Sequence, residues 1–266
     1  MRPKKVEDST KSIRTHSRYT GNIYVGLYNK KLIFDLGSSQ YDLFSDEENK
    51  KIIKKISIVE FTLKSLKQEK IFSDEDIDFK PLAISWLWIK GYYCIFHLIS
   101  IIIAFERKDP RYIFDKNYNS HIKIQKIINE YLAKKPFNED FLNKVFLGRD
   151  LESFTTGNFE NLRTITSFDD SLYKLSIKKA FKDDRDSLKN KRLKSYSFFG
   201  LAVNYRERFN YQGFQYLEFN SKTEEEEVDK FYMTSYDLII KIIESLICYL
   251  AKNTQDEIKT KLNSLI

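Results

Sequence analysis

Cysteine is nearly absent: Cys94 and Cys248 are the only two in 266 residues. Both lie in apolar stretches, so the chain has no disulfide framework and no paired spacing for zinc. They read as two small buried hydrophobes. Three histidines, His16, His97 and His121, are too few for an ordinary multi-histidine metal centre. The eight glycines form no glycine-rich phosphate loop, and neither His-Glu-x-x-His nor Gly-x-Ser-x-Gly occurs. The first 18 residues, MRPKKVEDSTKSIRTHSR, contain no apolar run. No secretory signal is therefore expected, and a cytoplasmic location is the default. Internal repeats and low-complexity segments are lacking too. No metal and no cofactor are expected.

What is present suits a globular chain of one main domain. Hydrophobic residues make up 42% and charged residues 31%. The net charge of +7 permits an anionic partner such as RNA, though a basic balance alone is a weak signal. The longest apolar run, Pro81 to Glu106, predicts a helix that is apolar on nearly every side. Its Lys90, Tyr93 and His97 fall at i, i+3 and i+7, on one stripe. Such a helix is a core helix or crosses a membrane. A mid-span histidine, a mean hydropathy of −0.48 and charges on both flanks favour the core. A buried helix with a polar stripe then needs polar partners from elsewhere in the chain.

Residues 1–18 read as a basic, flexible tail. Residues 19–44, rich in β-branched and aromatic side chains, predict a small β-hairpin. Ser45 with Glu48 forms a capping box, and Ile52, Ile56, Val59, Leu63 and Leu66 recur at helical spacing. That helix is expected to end near Lys70, with Ser73–Asp76 as a connection. Pro81 opens the apolar helix and Asp109-Pro110 closes it. A further helix begins at Ser120, with His121, Ile124 and Ile127 inward. An enlarged connection spans about 136–192; its basic part, from Lys178 onward, is a solvated helix face or a nucleic-acid patch. Ser221 and Glu224 cap a long last helix with Val228, Phe231, Ser235, Leu238, Ile242, Leu246 and Tyr249 on one face. It is expected to end near Lys252. The fold class is mainly α: an up-and-down bundle of four or five main helices with an N-terminal hairpin.

A second polar and aromatic concentration lies at Tyr205–Tyr211. Arg206 and Asn210 are one turn apart, and an arginine on an apolar helix needs an acceptor. Tyr92-Tyr93-x-x-Phe96-His97 resembles the core-helix signature of HEPN domains. Arg206-Glu207-x-x-Asn210-Tyr211 resembles the RExxDY segment of an uncharacterised bacterial and archaeal branch of that superfamily. The Ser120-His121 pair and the long last helix follow in the same order. The resemblance covers roughly residues 45–135 and 193–252, within a HEPN-like domain over 45–266.

This resemblance implies a homodimeric helical bundle from a toxin–antitoxin or antiviral system, with a nucleotidyltransferase-type antitoxin as one kind of partner. Active relatives are metal-independent ribonucleases whose motif is Arg followed by His four to six residues later. Here Arg206 is followed by Asn210 and Tyr211, and no histidine occurs after position 121. The expectation is thus a protein that binds RNA, a nucleotide or a partner protein, weakly catalytic or non-catalytic. The alternatives are an endoribonuclease using His97 or His121 as its base, and a helical scaffold with no site. Binding candidates are Lys90, Tyr93, Arg206, Asn210 and Tyr211; catalytic candidates are Arg206, His97 and His121. Arg206 is expected beside Tyr93 or His97.

Overall fold

A computed structural model describes Thr20 and residues 41–42, 44–121, 123, 124, 127, 202, 203, 205–207, 209, 210 and 225–266. The basic tail, nearly all of the expected hairpin, the 136–192 connection, Tyr211 and the Ser221–Glu224 cap lie outside these residues. The described part is mainly α and contains no strand.

Helix α1 spans Asp46–Glu75. Its capping box is formed: the Glu48 amide donates to Ser45 Oγ at 3.4 Å, and the Ser45 amide donates to the Glu48 carboxylate at 3.0 Å. Three acids in the first turn suit the positive end of the helix dipole. Ile52, Ile56, Val59, Leu63 and Leu66 are buried, as their spacing requires. The helix runs past the expected end at Lys70, and Ser73–Glu75 is helix, not connection. Ser73 lies seven residues after Leu66 and so continues the inner face. It is fully buried, with Oγ donating to the Glu69 carbonyl at 2.7 Å.

A single 3-10 turn, Ile77–Phe79, leads into α2, Lys80–Arg107, with Pro81 in its first turn. Lys108 ends α2 in the left-handed conformation, at φ 52° and ψ 38°. The Asp109 amide then reaches back to the Ala104 carbonyl at 2.9 Å. A four-residue helix, α3 (Arg111–Phe114), follows where none was expected. Asp109, just before its N-cap Pro110, accepts from the Arg111 amide at 3.0 Å. Helix α4 spans Glu225–Asn253, close to expectation, and α5 (Asp256–Asn263) adds about two turns that the sequence reading missed.

Cross-helix contacts fix the directions. Lys90 donates to Ser65 and Glu69, and the Cys94 thiol faces the Val59 carbonyl, so α1 runs antiparallel to α2. Lys80 pairs with Asp229, Gly91 meets Ile239, and Glu106 meets Tyr249, so α4 runs parallel to α2. A Cβ on Gly91 would lie 2.5 Å from Ile239 Cγ2. Glycine is what lets the two backbones approach there. Helix α5 returns to α1 through the Lys261–Glu60 ion pair at 2.5 Å.

Helix α2 is the one described helix long and apolar enough to cross a membrane, and 78% of its most apolar window is buried inside the protein. Its least covered side carries Leu82, Trp86, Ile89, Lys90, Tyr93 and His97. The polar stripe therefore lies at the rim of the fold, where burial is incomplete. Cys94 is buried as expected, and the burial raises its thiol to about 12. Cys248 is only half-buried, because it lies off the inner face of α4.

Candidate functional site

Two adjacent aromatic residues of α2, Tyr92 and Tyr93, both border His121. Tyr92 is fully buried and Tyr93, 100° further round the helix, is half-buried. The Tyr92 hydroxyl lies 2.6 Å from His121 Nδ1. Around the imidazole, ring centroids lie at 4.4 Å (Phe96), 5.4 Å (Tyr92) and 5.7 Å (Tyr93). His121 is delivered by the helical residues that follow Ser120, whose Oγ accepts from the Lys123 amide at 3.2 Å. Arg206 arrives from the helical residues 205–207, which are anchored by Tyr205 packing on Trp88 at 4.3 Å. Its guanidinium carbon stands 5.2 Å from the centroid of the Tyr92 ring.

These groups form one electrostatic unit. Burial lowers the His121 pKa, and the charge of Arg206 lowers it further, so the imidazole is neutral near pH 7. Burial raises the Tyr92 phenol, which stays protonated. Tyr92 and neutral His121 then share one proton-donating and one accepting role between Oη and Nδ1, leaving Nε2 for another partner. Arg206 is 8% exposed and donates from Nη2 to Glu207 at 3.0 Å. Its buried Nε has no hydrogen-bond partner among the described residues. An undersatisfied guanidinium over a ring, beside a neutral imidazole, is suited to an oxyanion.

Arg206 and His121 are thus brought together, with Tyr92 between them. Arg206 was expected beside Tyr93 or His97. It stands over Tyr92 because Tyr92, not the rim stripe, faces residues 205–207. Tyr93 borders the cluster through His121. Lys90 does not join it: its ammonium pairs with Glu69, bonds Ser65 at 2.9 Å and lies over Trp86, all on the α1 side. Asn210 is exposed while Arg206, one turn earlier, is buried, so the two do not share the site. Tyr211 lies outside the described residues.

His97 lies one turn beyond Tyr93, with ring centroids 6.5 Å apart. Burial, then the charges of Lys55 and His121, lower its pKa to about 4. Its Nδ1 is buried without a hydrogen-bond partner among the described residues. Lys55 itself is lowered to about 8 by burial, and donates to the Ile113 carbonyl at 2.7 Å.

Sequence reasoning missed Tyr92 as the pivot, although it stands beside Tyr93 in the same motif. It also missed a buried network at the other end of α2. There the Tyr41 hydroxyl meets Glu106 Oε1 at 2.5 Å and the Tyr249 hydroxyl at 2.7 Å, and Tyr249 reaches the same carboxylate oxygen at 3.2 Å. Nothing in the local sequence signals contacts between residues so far apart in the chain. Among the described residues no group of three or more metal-ligating side chains occurs.

Comparison with protein-family models, with curated proteins and with solved structures finds no match.

Proposed function

We propose that this chain binds RNA through its phosphates at the Arg206–Tyr92–His121 cluster. We further propose that it is a HEPN-like protein of a toxin–antitoxin or antiviral system. The observation that carries the reading is the guanidinium held over Tyr92, its Nε unpartnered among the described residues, beside an imidazole kept neutral by burial and by that same charge. Arg206 supplies charge to a phosphate oxygen, Nε2 of His121 supplies a hydrogen bond, and half-buried Tyr93 offers a ring on which a base can stack. The up-and-down bundle with an N-terminal hairpin, the homodimer and the cytoplasmic setting belong to the same proposal. So does an antitoxin partner of nucleotidyltransferase type.

A second reading, a metal-independent endoribonuclease, is favoured by one feature. His121 stands beside Arg206 in space although the motif histidine is missing in sequence. In the tautomer with Nδ1–H donating to Tyr92, Nε2 is a free base that can take the proton of a ribose 2′-hydroxyl. Arg206 would then stabilise the charge that develops on the phosphate. One experiment separates the two. End-labelled single-stranded RNA is incubated with the wild-type chain, Arg206→Met and His121→Asn, each checked for folding by denaturation. Binding lost in Arg206→Met without cleavage by the wild type supports the first reading. Cleavage lost in His121→Asn supports the second. Wild-type protein that neither binds nor cuts RNA overturns both and leaves a scaffold.

A further inference from the structure

Two lysines flank the rim stripe of α2, and only one of them is neutralised. Lys90, at one end, pairs with Glu69 of α1. Lys55, at the His97 end, bonds no carboxylate among the described residues. Its ammonium donates instead to the Ile113 carbonyl at 2.7 Å, and the same carbonyl accepts from Asn119 Nδ2 at 2.7 Å. A shared carbonyl holds the ammonium in place but leaves its charge unmatched. Its two other N–H donors have no acceptor among the described residues.

The register of the two helices brings Lys55 to His97. Helices α1 and α2 are antiparallel, with Cys94 facing Val59 and Lys90 facing Ser65. One turn further along each helix lie His97 and Lys55. The imidazole feels that ammonium, which with burial and His121 keeps it neutral near pH 7. Its Nδ1 has no partner among the described residues, whereas a histidine kept for the fold alone is ordinarily bonded. Both side chains are half-buried, so each keeps a route to solvent. An unmatched ammonium beside an unpartnered imidazole is suited to an anion.

We infer that Lys55 and His97 form a second phosphate subsite, which takes the phosphate adjoining the one held by Arg206 and His121 when a single-stranded RNA binds. This rests on the function proposed above. Tyr93 lies between the two subsites, its ring centroid 5.7 Å from that of His121 and 6.5 Å from that of His97. A base stacked on Tyr93 then has one phosphate on each side. Lys55 supplies charge to the second phosphate and His97 an N–H. The ligand is an unpaired strand, because bases in a duplex stack on each other and leave none for the tyrosine ring.

Binding of a short single-stranded RNA oligonucleotide, measured by fluorescence anisotropy across a salt series, tests it. Lys55→Met is expected to bind about ten-fold more weakly and to flatten the slope of log affinity against log salt by about 0.7, the value for one phosphate contact on a single strand. Lys55→Arg keeps the charge and the wild-type slope. A nucleoside monophosphate, followed at the His121 imidazole by NMR, fills the first subsite alone and is expected to bind wild type and Lys55→Met equally. Lys55→Met also loses the Ile113 contact, and a loosened fold would weaken both ligands together. Equal weakening of both therefore overturns the inference. Oligonucleotide binding that needs Arg206 but keeps its affinity and salt slope in Lys55→Met overturns the second subsite and leaves the proposed function standing. A wild-type chain that binds no RNA overturns both.

Discussion

Acid weakens this fold through His97, and replacing that residue by leucine removes the effect. In the folded chain burial and the neighbouring charges of Lys55 and His121 lower the imidazole from 6.5 to about 4. Between those values the unfolded chain takes up a proton that the folded chain refuses. Stability is therefore fully present above about pH 6.5 and declines as pH falls toward 4. The depression is worth up to roughly 3 kcal/mol, and about 2 kcal/mol once partial solvent access is allowed for. Urea unfolding between pH 7.5 and 4.5 reads it directly. Carboxylates contribute equally in both proteins, so the difference between wild type and His97→Leu isolates the imidazole. At pH 7 the variant is expected to be at least as stable as wild type. It loses a buried Nδ1 that has no partner among the described residues, a group costing about 1–3 kcal/mol when left unsatisfied. Identical pH slopes in the two proteins would refute the reasoning, as would an NMR titration of His97 centred near 6.5.

Gly91→Ala is expected to destabilise by about 1–3 kcal/mol in chemical denaturation, because the new methyl collides with Ile239 and the backbones must part. Tyr41→Phe should cost about 1 kcal/mol, and Glu106→Leu less when combined with it than when made alone, since the two groups share one network. A double-mutant cycle that is strictly additive would sink that network. Lys108→Gly is expected to raise stability by about 1 kcal/mol, because a left-handed backbone suits glycine and the Lys108–Asp42 pair it removes is fully exposed. An unchanged denaturation midpoint would show that the residue carries no strain.

Those parts of the fold that rest on local chemistry were legible in the sequence. Ser45 and Glu48 announced the start of α1, the spacing of Ile52, Ile56 and Val59 its inner face, and Pro81 the start of α2. The end of α1 was not legible, because Asp74 and Glu75 look like a surface connection until Ser73 is seen buried on the inner face. Helices α3 and α5 are short and hold only because their apolar residues, Ile113, Ile258 and Leu262, meet the core. At the candidate site the motif residues were visible, and so was the need of Arg206 for company. Which side of α2 would supply that company was not. A stripe of Lys90, Tyr93 and His97 gives the same periodicity whether it faces inward or lies on the rim. Only the packing of α1 shows that Lys90 belongs to Glu69, and that the inward group is Tyr92.

Proton NMR titration of the His121 imidazole, with and without single-stranded RNA, tests the central claim most directly. Burial and Arg206 hold the free protein's His121 below the usual 6.5. A phosphate seated between Arg206 and Nε2 brings negative charge, so bound RNA is expected to raise that pKa. Arg206→Met should raise it in the free protein and abolish the response to RNA. RNA that binds while leaving the His121 titration unmoved would contradict the claim that Arg206, Tyr92 and His121 form one phosphate-binding unit.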